Sequence, residues 1–266
     1  MKRKSAVSGI FYPKRCADIK RIIEKFNNIL TKHFHDKKLL GYKPRAVVVP
    51  HAGYIYSGYT ANIAYKIAAN TKPKRVIVVG PSHKFYFEGI SGALYDYFQT
   101  PCGDIKIDRE YLKKIEKYFP VTFRPKAHQK EHSTEVQMPF IQHYFPKAKV
   151  IEIVYGKVDY LNLAKLLNAL LKDKDNFLVI STDLSHFYPI KIAKQKDNVC
   201  LNAVVKRDPF VLDRGCEACG FTGLKALLEV VKRKGFKTKL LDYRTSADAS
   251  GDTKSVVGYM SAMIYI

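Results

Sequence analysis

The sequence predicts an α/β protein with a mainly parallel central sheet, organised as a single domain over residues 1–266. Three observations predict it. Short apolar runs alternate with longer stretches of helical period along most of the chain. The apolar runs are hydrophobic throughout instead of at every second position, the pattern of strands covered on both faces. No shift in composition, internal repeat or low-complexity linker marks a second unit, and 47% hydrophobic residues suffice for a large core.

Taken in order, Arg45 to Pro50 (RAVVVP) is the first buried strand. Arg75 to Gly80 (RVIVVG), Val150 to Tyr155 (VIEIVY) and Phe177 to Ser181 (FLVIS) repeat the pattern. Helical periods fall over Tyr59 to Ala69, Tyr111 to Tyr118, Glu135 to Tyr144, Tyr160 to Leu171, Ile192 to Val205 and Ala218 to Lys234. The segment Gly89 to Ile107 breaks the rhythm. Ile90 to Phe98 and Asp104 to Ile107 read as strands joined by the turn Thr100-Pro101-Cys102-Gly103, a hairpin beside the main sheet. Two apolar strands, Phe236 to Tyr243 and Ser255 to Ile266, close the chain.

The formal net charge is +22, from 46 Lys plus Arg against 24 Asp plus Glu. Such an excess attracts polyanions. The lysines are dispersed, however (Lys20, Lys66, Lys113, Lys165, Lys194, Lys232), and no nucleic-acid motif accompanies them. Nucleic acid is therefore not the expected partner. No apolar stretch reaches the length of a membrane span, and Met1 to Pro13 lacks the apolar core of a secretory signal, so a cytoplasmic location is expected. The five cysteines (Cys16, Cys102, Cys200, Cys216, Cys219) are odd in number and scattered. Reduced thiols are expected rather than a disulfide framework. The lone C-x-x-C at Cys216–Cys219 is read as buried inert thiols, with a redox role as the alternative.

The chemistry lies in where the histidines fall. His51 directly follows the first strand, His83 comes three residues after the second, and Asp183 and His186 follow the fourth. Ligands bind open α/β sheets at the carboxyl ends of their strands, so these imidazoles are expected to share one site. Imidazole suits zinc, copper and iron, and two His plus one carboxylate is the facial arrangement of Fe(II) oxygenases. A further His would serve as acid or base. His128-Gln129-Lys130-Glu131-His132 formally fits H-x-x-E-H, a zinc-peptidase pattern that requires one continuous helix. Pro125 upstream, and Ser133 placed as the N-cap of a helix with Glu135 in its first turn, put the motif in a loop. His132 would then stand at a helix entrance facing the site. The motifs G-x-G-x-x-G, G-x-x-x-x-G-K-S/T and G-x-S-x-G are absent, which removes support for a dinucleotide enzyme, a P-loop NTPase and an α/β-hydrolase.

Several segments together resemble the Memo family, protein B of the radical-SAM-associated AmmeMemoRadiSam group. They are Val49-Pro50-His51-Ala52-Gly53-Tyr54 with Tyr56-Ser57-Gly58, Gly80-Pro81-Ser82-His83, Glu131-His132-Ser133-Thr134-Glu135-Val136-Gln137-Met138-Pro139, Ser181-Thr182-Asp183-Leu184-Ser185-His186-Phe187, Cys219-Gly220 and Ser255 to Tyr259. The resemblance implies the LigB-like sandwich of class III extradiol dioxygenases, with a metal at the sheet edge. It implies His51 and His83 as metal ligands, His186 as acid/base supported by Asp183, and His132 and Glu135 lining the pocket. Animal Memo proteins carry a Cys ligand in the loop before the last strand. Ala249 stands there in this chain, so Asp248, with Asp252 as its neighbour, is the expected third ligand. An Asx-turn role for both carboxylates is the rival reading.

The expectation is thus a metal-dependent, oxidoreductase-like enzyme holding a divalent or redox metal, Fe(II) foremost, with Tyr54 and Tyr56 shaping a pocket for a small molecule or peptide. Partners from a radical-SAM-associated system are implied by the resemblance alone. The alternative is a non-enzymatic module that binds a peptide or partner, or carries copper, in the same pocket.

Overall fold

A computed structural model describes residues 1–33 and 37–266. In chain order the elements are β1 (Lys2–Arg3), α1 (Cys16–His33), β2 (Ala46–Val49), α2 (Tyr54–Ala68), β3 (Arg75–Pro81), β4 (Ile90–Gly92), β5 (Tyr97–Thr100), β6 (Gly103–Lys106), α3 (Arg109–Glu116), β7 (Val121–Thr122) and α4 (Pro125–Gln129). They continue as α5 (Met138–Tyr144), β8 (Lys149–Tyr155), α6 (Tyr160–Lys172), β9 (Asn176–Ser181), β10 (His186–Tyr188), α7 (Ile190–Lys206), α8 (Phe221–Lys234), β11 (Lys237–Thr245), α9 (Ala247–Ser250) and β12 (Val256–Tyr265).

The four apolar runs form the parallel centre of a mixed sheet whose order is β10-β12-β2-β9-β3-β8-β4-β7, with β11 also paired to β12. Both flanks turn antiparallel, at β12 against β2 and at β4 against β8. Side chains alternate strictly between the faces, as the period of a strand demands. Val48, Ile77, Val79, Ile151, Ile153, Leu178 and Ile180 meet the apolar faces of α6, α7 and α8. Val47, Val49, Val76, Val78, Phe177 and Val179 meet α1, α2 and α5. Burying each such aliphatic side chain stabilises the fold by about 1.5–3 kcal/mol. Of the expected hairpin, only β5 and β6 stand apart, in a small sheet of order β1-β5-β6; the strand predicted over Ile90 to Phe98 is broken, and its start, β4, pairs with β8 in the main sheet.

Three further features differ from the sequence expectation. Helix α1 lies outside the predicted helices, although Ile19, Ile23, Phe26 and Leu30 form a buried stripe at helical spacing. Helix α2 starts at Tyr54, three residues beyond His51, instead of at Tyr59. Four of the cysteines are paired, as Cys16–Cys102 and Cys200–Cys216, so the expectation of reduced thiols is overturned. Their separations of 86 and 16 residues carry no local signature, because the partners meet only once α1 packs on the hairpin turn and α7 on the loop before α8. Among the described residues no helix is long and apolar enough to cross a membrane.

Candidate metal centre

The carboxyl ends of β2, β3 and β9 deliver His51, His83 and Asp183 to one edge of the sheet. His132 arrives there from the segment between α4 and α5. His51, His83 and His132 each present a ring atom, and these atoms all lie within 4.8 Å of one another. The ring centroids are 5.2 Å apart for His51–His83, 5.3 Å for His51–His132 and 4.6 Å for His83–His132. Burial grades across the trio: His51 is buried, His132 intermediate and His83 exposed, so the cluster opens to solvent on the His83 side.

Glycine permits this approach. A Cβ on Gly80, at the end of β3, would come within 2.5 Å of Ser133 Oγ and push the His132 segment away. A Cβ on Gly220 would meet Thr182 at 2.5 Å, separating Cys219 from the end of β9.

Hydrogen bonds fix which ring nitrogens are free. Glu131, fully buried, accepts from His83 Nδ1 at 2.9 Å and from the His83 backbone at 2.6 Å. It also accepts from the backbone N–H groups of His132 and Ser133. Burial alone would push its carboxyl up. The His83 ring and the converging N–H groups outweigh that and hold it at about 2. As an anion it can only accept, so His83 Nδ1 is the donor, and in the neutral ring Nε2 is the free nitrogen. His51 is fixed by elimination. Its Nδ1 lies 3.0 Å from Ser181 Oγ, whose own proton goes to the Ser133 carbonyl at 2.6 Å. His51 Nδ1 is therefore the donor, and Nε2 is again free of a proton. Gln137 braces this arrangement by donating to both Ser181 Oγ and the Pro50 carbonyl. His132 Nδ1 sits 3.4 Å from the shared Glu131 oxygen and is buried without a hydrogen-bond partner. Burial drives the His51 ring well below the ordinary histidine range, and burial with the neighbouring His83 pushes His132 down to about 4. Both rings stay neutral near pH 7, the form that binds metal.

Asp183 faces His51: Oδ1 accepts from the His51 backbone at 2.7 Å, and Oδ2 lies 3.9 Å from Nε2. Burial pushes its carboxyl up to about 7, against the pull of the His51 backbone N–H and the His83 charge. Asp183 contacts His51 and the Cys219 loop, and makes no hydrogen bond to His186, whose support by Asp183 the resemblance implies. His186 is part-buried on β10, electrostatically coupled to His83 and Asp197, and its ring is shifted below the ordinary range by burial. Next to it, Phe187 is 75% exposed and holds a left-handed φ of 65°.

Other expected site residues sit elsewhere. Asp248 accepts from Thr245 N at 2.8 Å and from the Thr245 hydroxyl, a local turn role. Neither Asp248 nor Asp252 belongs to the converging group, where His132 stands as the third member. Tyr54 is 2% exposed, stacks on Phe140 and donates to the Val136 carbonyl, so it is core and not pocket wall. Tyr56 is exposed. Glu135 is fully buried and turned away, accepting from Arg3, Ala6, Val7 and Tyr12. It thereby fastens the N-terminal segment, which brings Phe11 against the His132 ring at 4.9 Å. Ser133 does not cap a helix; its hydroxyl donates to the Pro81 carbonyl. Within H-x-x-E-H, His128 lies in α4 against Ser91, while Glu131 and His132 lie past that helix's end.

Sequence reasoning dismissed one residue that the fold brings in. Cys219 Sγ stands 3.3 Å from His51 Nε2. Burial, reinforced by the Asp183 carboxylate, pushes its thiol up to about 12. The hint was its place two residues before α8, which has to pack against the end of β9.

Fold and site together define an α/β protein with a three-histidine, metal-type centre at the carboxyl edge of a parallel sheet. The profile described as Memo-like protein matches residues 3–263. The chain is 35% identical to a MEMO1 family protein of Aquifex aeolicus over 99% of both chains. It is 33% identical to one of Desulfurococcus amylolyticus, covering 100% of this chain and 99% of that one. It belongs to the Memo-like family. A crystal structure of an uncharacterized protein of Escherichia coli K12, JW3007, shares the fold at TM-score 0.53 and 15% identity, over 83% of this chain and 100% of that one.

Proposed function

We propose that this chain is a metal-dependent protein whose ion is held by His51, His83 and His132, and that it acts as an oxidoreductase-like enzyme on an oxygen-bearing small molecule. One observation carries the reading: three imidazoles from separate parts of the chain meet with their Nδ1 sides turned toward Glu131 or Ser181. The donor set fits such an ion, because neutral imidazoles suit Fe(II), copper and zinc alike. When bound, the ion would supply Lewis acidity and, if redox-active, an electron.

The protein's own groups do the remaining work. Glu131 orients His83 and sits against His132, the carboxylate–histidine arrangement that raises ligand basicity. His186, part-buried beside the cluster with its ring shifted down, is neutral near pH 7 and can take a proton from a substrate hydroxyl. Phe11 and the segment fastened by Glu135 shield the His132 side from water. Resemblance to class III extradiol dioxygenases supports the same division between ligands and proton carrier. A second reading, a copper-carrying module, is favoured by the thiol of Cys219 beside His51.

The test is metal analysis after anaerobic purification of wild type, His51→Ala and His83→Ala. Stoichiometric metal in wild type and its loss in both variants is expected. Equal, negligible metal in all three would overturn the proposal.

A further inference from the structure

We infer that Cys219 is an additional protein ligand of the histidine centre, so that the site takes a soft, thiolate-accepting ion of the zinc or copper class. This rests on the metal reading above and adds a ligand and a selectivity to it.

The argument is geometric. With bonds of about 2.0 Å to nitrogen and 2.3 Å to sulfur, tetrahedral coordination places the two ligand atoms about 3.5 Å apart. Cys219 Sγ and His51 Nε2 are already at 3.3 Å. Because His51 Nε2 carries no proton, the Cys219 S–H is the donor between them, and an ion that displaces this proton falls between both atoms. The loop holds the sulfur in place: Asp183 N donates to Sγ at 3.2 Å, and Cys219 N donates to the Asp183 carbonyl at 3.2 Å. Gly220 allows the approach, since a Cβ there would strike Thr182. Cys219 stands beside His51 but outside the group of ring atoms that lie within 4.8 Å of one another, so His83 and His132 have to draw toward both His51 and the sulfur, by about 1 Å or more, to share an ion. His83, the exposed member, has room to do so. On binding, a metal–sulfur bond forms and the thiol proton passes to solvent; nothing is oxidised or reduced.

Thiolate softness discriminates among ions. Sulfur ligands select zinc and Cu(I), whereas histidine with carboxylate suits Fe(II). The other four cysteines are locked in disulfides, which leaves Cys219 as the free thiol. Any thiolate signal from the oxidised protein therefore reports on this residue.

The experiment is anaerobic titration with Co(II), without reductant, of wild type, Cys219→Ser and Cys219→Ala, each checked for native circular dichroism. Wild type should develop the visible bands of tetrahedral cobalt together with a near-ultraviolet thiolate-to-cobalt charge-transfer band. Both variants should lose the charge-transfer band and bind cobalt at least about 10-fold more weakly. Visible cobalt bands in wild type without charge transfer, or charge transfer that survives in the variants, would overturn the ligand role while leaving the histidine centre intact. No cobalt uptake by wild type would instead sink the metal reading, and the thiolate ligand with it.

Discussion

Glu131 and Glu135 lie one helical turn apart in sequence, both fully buried, and they do opposite things. Glu135 receives the Arg3 guanidinium at 2.7 Å, the backbone of Ala6 and Val7, and the Tyr12 hydroxyl. Arg3 also reaches Glu152 at 3.6 Å, and Glu152 in turn accepts from Thr134 and faces His128. That cluster ties the N-terminal segment to the body of the protein, although Arg3 Nε, His128 Nδ1 and Glu152 Oε2 are buried without hydrogen-bond partners. Glu131 also collects N–H groups, but two of the rings it gathers, His83 and His132, direct their other side toward His51. The first cluster faces only the protein's own segments and is structural. The second turns ring nitrogens from three histidines toward a shared point that opens on the His83 side, and that is where chemistry has been left room.

The largest effect should come from breaking the Arg3 cluster. Arg3→Ala leaves Glu135 and Glu152 without their cation in a dry interior, which should cost about 3–5 kcal/mol in urea unfolding. Metal affinity of the folded fraction should change far less. A stability loss under about 1 kcal/mol would erase the distinction between the two regions.

The same cluster sets an acid limit. Burial alone would raise the Glu152 carboxyl, but Arg3, His128 and the Thr134 hydroxyl outweigh it and hold it below its ordinary 4.5. A lowered folded pKa contributes stability that is complete above that value and is lost as pH falls through the folded one. Stability should therefore decline on acidification below pH 4.5, and Glu152→Gln should flatten that decline. An unchanged acid profile in the variant would assign the decline to other groups.

Glu131→Gln should act on the other side of the comparison, with a metal affinity about 10–100-fold weaker by calorimetric titration. Unaltered affinity would make Glu131 as purely structural as Glu135. The smallest effect is expected at Asp248→Ala, which removes a local bond to Thr245 worth about 1 kcal/mol and leaves metal content unchanged. Loss of metal in that variant would restore Asp248 as a ligand.

How much was legible in the sequence followed the range of the interactions. Strands β2, β3, β8 and β9 announce themselves as unbroken apolar runs, and a parallel sheet places His51 and His83 at one edge with no further information. The stripe Ile19, Ile23, Phe26, Leu30 is equally legible as the buried face of a helix. What could not be read depended on packing between distant segments. The sequence does place His132 at the site, but its closeness to His51 as third member of the trio depends on Gly80 admitting the Ser133 segment. Cys219 reaches His51 across 168 residues of chain. The choice of Asp248 rested on register with a resembling family, whereas its carboxylate is spent three residues away on Thr245.

The most direct test of the central claim is a crystal of the protein loaded with zinc or cobalt, with anomalous differences collected at the metal's absorption edge. The account predicts one dominant peak about 2 Å from a ring nitrogen of each of His51, His83 and His132. A dominant peak bonded elsewhere, or one touching fewer than two of these rings, would contradict it.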